Sequence, residues 1–189
     1  MNITKKISKS ILKLAGWQVK GGKPKEKKYL IIAAPHTSNW DFPLARLTNS
    51  LLEIKLQLLM KESWFFFPFK YVLKWLGVVP IDRSKTGGVI AGIVEMYKAN
   101  DEFVFAMAPE GTRSYVEFWK TGFYTIASRA NVPIVCGYLD YKKKELGLGL
   151  IIYPSGDSEK DFEKILSFYR TKLAKFPEKF NQHPRFGKK

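Results

Sequence analysis

Short apolar runs alternate with segments of helical character along most of this 189-residue chain, and no other feature constrains the fold as strongly. Short runs rich in β-branched and aromatic residues indicate strands, whereas apolar residues three or four positions apart indicate helices. The pattern predicts strands at residues 29–34, 54–60, 102–108, 132–140 and 148–153, and helices at 39–51, 89–98, 121–130 and 158–175. Strands that alternate with helices form a mostly parallel sheet. We therefore predict a three-layer α/β/α sandwich with a mixed, mostly parallel central sheet, preceded by an N-terminal amphipathic helix.

The first candidate site follows the strand predicted at residues 29–34, where His36 stands five residues before Asp41. Five positions apart on one continuous helix, the two side chains would diverge. They meet only if His36 lies in a turn and Asp41 in the first turn of the next helix. Ser38 suits the N-cap of that helix, with Asp41 three residues later as in a capping box. An imidazole backed by a carboxylate suits a general base. The alternative is a turn histidine beside an acid that complements the helix dipole.

The second candidate site is Glu110-Gly111-Thr112-Arg113, directly after the strand predicted at residues 102–108. Gly111 lets the backbone approach a ligand closely. Arg113 offers a planar fork of donors that matches phosphate oxygens, and Thr112 adds a hydroxyl. The alternative is an ordinary turn with a surface arginine. Ligands of open α/β sheets bind beyond the carboxyl ends of the strands, so both segments are expected at one edge.

Together the two segments resemble the His-x4-Asp and Glu-Gly-Thr-Arg blocks of the glycerolipid acyltransferase family, of the lysophosphatidic acid acyltransferase type. Two weaker blocks occur in the family's order: Lys61-Glu62 with residues 77–83 resembles the second, and residues 132–135 resemble the fourth. The resemblance covers residues from about 30 to 140. One departure is Pro35, which precedes His36 where the family often has asparagine.

The resemblance implies an O-acyltransferase similar to 1-acylglycerol-3-phosphate acyltransferase. His36, oriented by Asp41, is expected to take the proton from an acceptor hydroxyl, which attacks an acyl thioester on coenzyme A or acyl carrier protein. The residues expected to bind the phosphate of a lysophospholipid acceptor, such as 1-acyl-glycerol-3-phosphate, are Arg83, Glu110, Gly111, Thr112 and Arg113. For Arg83 a solvated surface charge is the alternative.

Other residue types limit the chemistry further. No covalent acyl-enzyme is implied, and the chain lacks the Gly-x-Ser-x-Gly nucleophile elbow. The single cysteine, Cys136, lies in an apolar run and is interpreted as a core residue. His183, the only other histidine, is interpreted as non-catalytic. The sequence contains no zinc-ligand cluster, Walker loop or Gly-x-Gly-x-x-Gly, so we expect no metal and no bound cofactor; acyl-CoA or acyl carrier protein is a substrate.

The charge balance indicates an anionic partner. The chain has 32 Lys and Arg against 17 Asp and Glu, a net charge of +15, which suits an anionic membrane surface or nucleic acid. The N-terminus favours the membrane, because Ile3, Ile7, Ile11 and Leu14 share one helical face opposite a lysine face. The alternative is a helix packed on its own domain with its lysines in water. No segment has the roughly 20 apolar residues that span a bilayer. We therefore expect a peripheral protein on the cytoplasmic side of the cell membrane, with no nucleic acid bound.

These observations suggest a division into an amphipathic membrane-interface helix and connection at residues 1–22, an acyltransferase domain at 23–176, and a basic C-terminal tail at 177–189 that frays. An aromatic segment at residues 64–76 suits an interfacial belt, the wall of an acyl-chain groove or a core helix. The competing function is a non-catalytic basic protein that binds anionic membrane or nucleic acid. Replacement of His36 would leave the activity of such a protein unchanged.

Overall fold

The computed structural model describes residues 3–61, 66–68, 70–71, 78–81 and 88–187. The helices in these ranges are α1 (Ile3–Leu14), α2 (Asp41–Leu51), α3 (Gly88–Ala99), α4 (Gly122–Ala130) and α5 (Ser158–Arg170). The strands are β1 (Gln18–Lys20), β2 (Lys28–Ala33), β3 (Leu56–Lys61), β4 (Val78–Ile81), β5 (Phe103–Met107), β6 (Phe118–Trp119), β7 (Ile134–Asp140), β8 (Glu145–Ile152) and β9 (Arg185–Phe186). The predicted strands and helices are present, with bounds that differ by a few residues at most ends, whereas β1, β4, β6 and β9 were not predicted.

Seven strands of the described ranges form one sheet in the order β1–β8–β7–β2–β5–β3–β4. Neighbouring strands in it are parallel, except that β7 and β8 are antiparallel. In the centre, β2 pairs with β5 on one side and with β7 on the other. The carboxyl ends of these three strands consequently meet at one edge of the sheet, which is the edge that carries the site.

Alternation along β2 divides the core into two layers. Leu30 and Ile32 pack on the face that α3, α4 and α5 cover, with Trp119 and Tyr169 among the fully buried side chains there. Tyr29 and Ile31 point to the opposite face, because successive side chains of a strand alternate between its faces. On that side a small cavity is lined by Ile31 and by Ala45, Thr48 and Asn49 of α2, among other residues. The predicted three-layer α/β/α sandwich with a mostly parallel sheet, preceded by an N-terminal helix, is confirmed.

Helix α1 packs through a side that lies between its two predicted faces. Ser8 and Leu12 are its buried residues, and Leu12 joins an apolar cluster with residues of α2 and β8. Lys5 forms an ion pair with Glu53, just after α2, with 2.7 Å between Nζ and Oε2. The isoleucine face remains exposed. No helix in the described ranges is long and apolar enough to cross a bilayer.

The C-terminal segment differs from the prediction of a frayed tail. Strand β9 pairs with β6 in parallel, Phe180 is buried against the main core, and the ring of Phe186 stacks on that of Phe162 at 3.9 Å between centroids. The expectation was wrong because it depended on the lack of an apolar period, whereas single aromatic side chains anchor this segment. The last helix also ends earlier than predicted, at Arg170.

Two predictions fall wholly or mostly outside the described ranges. Arg83 lies there, and so does most of the aromatic segment at residues 64–76. Of that segment, residues 66–68 and 70–71 are described, and the rings of Phe66, Phe67 and Tyr71 are exposed.

Candidate active site

Three segments converge at the carboxyl edge of the central strands. The loop with His36 follows β2, the turn with Glu110 follows β5, and Tyr141 directly follows β7. Because β5, β2 and β7 are parallel neighbours, residues just beyond their ends lie close together. The prediction that the first two segments lie at one edge of the sheet is therefore confirmed. The third segment was not predicted.

His36 and Asp41 are hydrogen-bonded. The distance from His36 Nδ1 to Asp41 Oδ2 is 3.1 Å, and the His36 side chain is 31% exposed whereas that of Asp41 is 4% exposed. An ionised carboxylate only accepts hydrogen bonds, so Nδ1 carries the proton and Nε2 has the free lone pair. A neutral imidazole held in this tautomer, on a side chain that is partly exposed to solvent, is the state that accepts a proton from a hydroxyl.

Asp41 is itself held by several donors. Its Oδ2 also accepts the backbone N–H groups of Thr37 and Ser38, each at 2.9 Å. The other oxygen, Oδ1, accepts the hydroxyl of Tyr141 at 2.6 Å. Burial acts to raise the pKa of Asp41, but the hydrogen bonds from His36, Tyr141 and Ser38 outweigh it and the pKa is lowered. Asp41 is thus ionised and fixed in place.

The predicted capping box forms only in part. Helix α2 begins at Asp41, with Trp40 as its N-cap residue. Ser38 is therefore not the N-cap residue, and its hydroxyl accepts the N–H of Trp40 at 3.2 Å. Asp41 does reach back to the N–H of Ser38, which is the half of the motif that orients the carboxylate.

Glu110 contacts the loop of His36 from the other side. Both of its carboxyl oxygens lie 3.1 Å from the backbone nitrogen of His36. Burial raises the pKa of Glu110 to about 8, opposed by the hydrogen bond from His36 and assisted by the negative charge of Asp41. Both oxygens of this buried carboxyl accept the backbone N–H of His36, an arrangement that suits positioning of His36 better than contact with a phosphate.

The turn after Glu110 is open and basic. Gly111 has a φ of +69° and donates its N–H to Ala108 O at 3.1 Å. A Cβ at Gly111 would lie 2.7 Å from Nζ of Lys120, so this ammonium group lies against the turn. Thr112 and Arg113 are exposed. Within the described ranges neither Arg113 nor Lys120 forms an ion pair, so both cations are available to an anionic ligand.

A cleft of about 980 Å³ opens beside this turn. An apolar wall is formed by Ile90, Val116 and Phe118, while Glu110, Thr112 and Lys120 supply polar groups. Ligand pockets are commonly apolar with a few polar groups that fix orientation. This cleft therefore suits a ligand with an apolar part and an anionic part.

The structure brings His36, Asp41 and Glu110 into one hydrogen-bonded group and places Gly111, Thr112 and Arg113 on the adjoining turn. It buries Cys136, whose thiol pKa burial raises to about 12. It exposes His183. Sequence reasoning missed Tyr141 and Lys120. Tyr141 directly follows the strand predicted at residues 132–140, which was an available signal; Lys120 had none beyond its charge.

Comparison with known proteins gives a family and a fold. A family model described as "Acyltransferase" matches residues 17–140. Among solved structures, the 1-acyl-sn-glycerophosphate (LPA) acyltransferase PlsC from Thermotoga maritima is similar, with a TM-score of 0.59 at 20% sequence identity, over 88% of this chain and 75% of that chain. At this identity the likeness shows the fold. No sequence among curated proteins matches significantly.

Proposed function

The chain belongs to the acyltransferase family, and we propose that it moves a fatty acyl group from a thioester donor, acyl-CoA or acyl carrier protein, to a hydroxyl of a lysophospholipid such as 1-acyl-glycerol-3-phosphate. The observation that carries this proposal is the hydrogen bond between His36 Nδ1 and Asp41 Oδ2, beside a basic turn and a cleft of suitable size. The lipid acceptor is supported by the resemblance to glycerolipid acyltransferases.

In the proposed reaction, His36 Nε2 takes the proton from the acceptor hydroxyl as its oxygen attacks the thioester carbonyl carbon. The new ester C–O bond forms and the C–S bond breaks, so the thiolate leaves and receives the proton from His36. Asp41 holds the tautomer and stabilises the transient imidazolium. Glu110 fixes the backbone of His36 and is assigned to positioning.

The turn of Gly111, Thr112 and Arg113 is proposed to bind the acceptor's phosphate. An arginine fork matches phosphate oxygens, and Arg113 has no acidic partner in the described part of the chain. Arg83 remains a proposed second anion contact. The reaction as written needs no metal or bound cofactor, because the imidazole supplies the base and the donor brings its own activated acyl group.

The exposed isoleucine face of α1, with Lys6, Lys9 and Lys13 exposed on another side, supports attachment to an anionic membrane. We place the protein peripherally, on the cytoplasmic face of the cell membrane. Because the isoleucine face is exposed rather than packed, the helix is free to contact both lipid and its own domain.

The test is to incubate purified protein with acyl-CoA or acyl carrier protein donors and a panel of lysolipids, then to detect diacyl product by mass spectrometry and free thiol by colorimetry. His36→Ala is expected to abolish transfer, and His183→Ala, at the other, exposed histidine, to leave it unchanged. Arg113→Ala is expected to raise KM for the acceptor more than it lowers kcat. Transfer that survives His36→Ala would refute the assignment of the base, and no transfer to any acceptor would favour the non-catalytic basic protein.

A further inference from the structure

Exposed aromatic side chains lie next to the catalytic loop. Trp40 is 62% exposed and Phe42 is 53% exposed, and these residues flank Asp41 in sequence. Phe176, 36% exposed, is attached to the same loop because its backbone N–H donates to the Thr37 hydroxyl at 3.3 Å. Three large rings are therefore open to solvent around the segment that carries His36.

Two lysines accompany these rings. Lys175 Nζ lies 5.6 Å from the centroid of the Trp40 ring and 5.7 Å from that of Phe176. Lys179 Nζ lies 4.6 Å from the Phe176 ring. Neither ammonium group has a carboxylate within ion-pair distance among the described residues. We define Trp40, Phe42, Lys175, Phe176 and Lys179 as the aromatic–basic patch.

We propose that the aromatic–basic patch is a second membrane-docking surface, separate from α1, which seats the mouth of the active site on an anionic lipid bilayer. Tryptophan is enriched where a protein meets the lipid interface, and lysines near an anionic leaflet are attracted to it. The pairing of unneutralised cations with exposed apolar rings is complementary to anionic headgroups above acyl chains.

The position of the patch has a consequence for catalysis. It rests on the proposed function in one respect: a lysophospholipid acceptor resides in the bilayer, and a patch on the His36 loop brings the base to the depth of its headgroup. Exposed rings and lysines also bind single-stranded nucleic acid. Lipid is favoured because the exposed isoleucine face of α1 adds an apolar surface with no role in base stacking.

The first experiment measures cosedimentation of the full chain with phosphatidylcholine vesicles, with and without phosphatidylglycerol, in the absence of acyl donor. Lys175→Gln and Lys179→Gln are each expected to weaken binding to anionic vesicles about fivefold, from about 1 kcal/mol of attraction per basic residue. The matched control is Lys27→Gln. Lys27 is exposed, and among the described residues its ammonium group has no carboxylate within ion-pair distance. It directly precedes β2, so the change removes the same charge from the amino edge of the sheet, opposite the edge of the site.

The second experiment reads contact directly. Lipids brominated near the headgroup are expected to quench part of the tryptophan fluorescence of vesicle-bound protein, and Trp40→Phe is expected to remove that quenchable part while vesicle binding persists. Equal weakening by Lys27→Gln and Lys175→Gln, or quenching unaffected by Trp40→Phe, would overturn the patch. The proposal would also be overturned if the wild-type protein bound a single-stranded oligonucleotide but not the vesicles, and the lysine variants lost that oligonucleotide binding. Because no donor is present, these outcomes are distinguishable from failure of the proposed acyl transfer.

Discussion

Replacement of Tyr141 by phenylalanine isolates one hydrogen bond of the site. The hydroxyl of Tyr141 is the donor to Asp41 Oδ1, at 2.6 Å, and the carboxylate is nearly fully buried. The edge-on contact of the Tyr141 ring with Trp17, at 5.0 Å between centroids, needs no hydroxyl and is kept by phenylalanine. The change therefore removes a donor from a buried anion and little else.

The expected cost follows from the charge of the acceptor. Hydrogen bonds to charged groups contribute about 1.5–3 kcal/mol, and a buried acceptor left without a donor has lost its compensation for desolvation. We expect Tyr141→Phe to lower the free energy of unfolding by about 2 kcal/mol. For a chain of this size that is a fall in Tm of roughly 4–8 °C.

The loss has a definite pH dependence. The folded-state pKa of Asp41 is lowered, so its contribution to stability is present above the unfolded pKa and disappears as the pH falls through the folded pKa. The Tyr141 hydroxyl is one of the groups that lower this pKa. The difference between wild type and Tyr141→Phe should therefore be full at neutral pH and should shrink below about pH 4, where the unfolded carboxylate also protonates.

The assay is urea unfolding followed by circular dichroism over a pH series, with Tyr138→Phe as the matched control. Tyr138 lies on β7, the strand that Tyr141 directly follows, and its hydroxyl has no hydrogen-bond partner among the described residues. The control should stay within about 0.5 kcal/mol of wild type. Equal losses in the two variants, or a loss that does not change with pH, would refute the assignment of the effect to the Asp41 contact.

Two further perturbations test the other side of the site. Glu110→Gln keeps an acceptor for the His36 N–H without the charge. Because the folded pKa of Glu110 is raised to about 8, wild type should lose a few kcal/mol of stability relative to this variant as the pH rises from about 4.5 to 8, and no more above 8. Paired urea melts across that range measure the difference, and a difference that stays constant would contradict the raised pKa. Gly111→Ala places a Cβ against Lys120 in the left-handed backbone region and should cost about 1 kcal/mol of stability and most of the acyl transfer. Its control is Gly88→Ala, at a φ of +67° with open space around it, which should show the same stability loss in thermal melts but keep acyl transfer. Equal transfer in the two variants would contradict a role for the turn.

The sequence was sufficient for the relation between His36 and Asp41 because that relation is local. A strand, a short turn and the first residue of a helix fix both side chains within six positions. The contact between Glu110 and the backbone of His36 is different, since it depends on the register of β5 against β2, in which Ile32 lies opposite Met107. Residue types alone do not specify that register. The family resemblance implied a contact of Glu110 with phosphate, whereas the structure has a buried carboxyl that accepts the backbone N–H of His36.

Helix α1 shows the same limit from the side of packing. Its period predicts an apolar face and a lysine face, and the alternatives weighed from the sequence were that the apolar face meets lipid or that it packs on the domain. The structure uses a third side, with Leu12 against the cluster that includes Leu139 and Leu146. Leu12 docks the helix together with the buried Ser8 and the ion pair between Lys5 and Glu53, and a helical wheel gives these residues no special weight.

The pKa values of the two carboxyl groups beside His36 are shifted in opposite directions, and the number of hydrogen-bond donors to each explains why. Asp41 receives hydrogen bonds from His36, Thr37, Ser38 and Tyr141, whereas the described donors to Glu110 amount to the single N–H of His36, shared by its two oxygens. Burial therefore prevails only for Glu110, which stays largely protonated at neutral pH. A second anion at that position would lie close to the buried carboxylate of Asp41, whose negative charge also raises the pKa of Glu110, because like charges repel. In its neutral state Glu110 can accept the backbone N–H of His36 without adding a second negative charge beside Asp41.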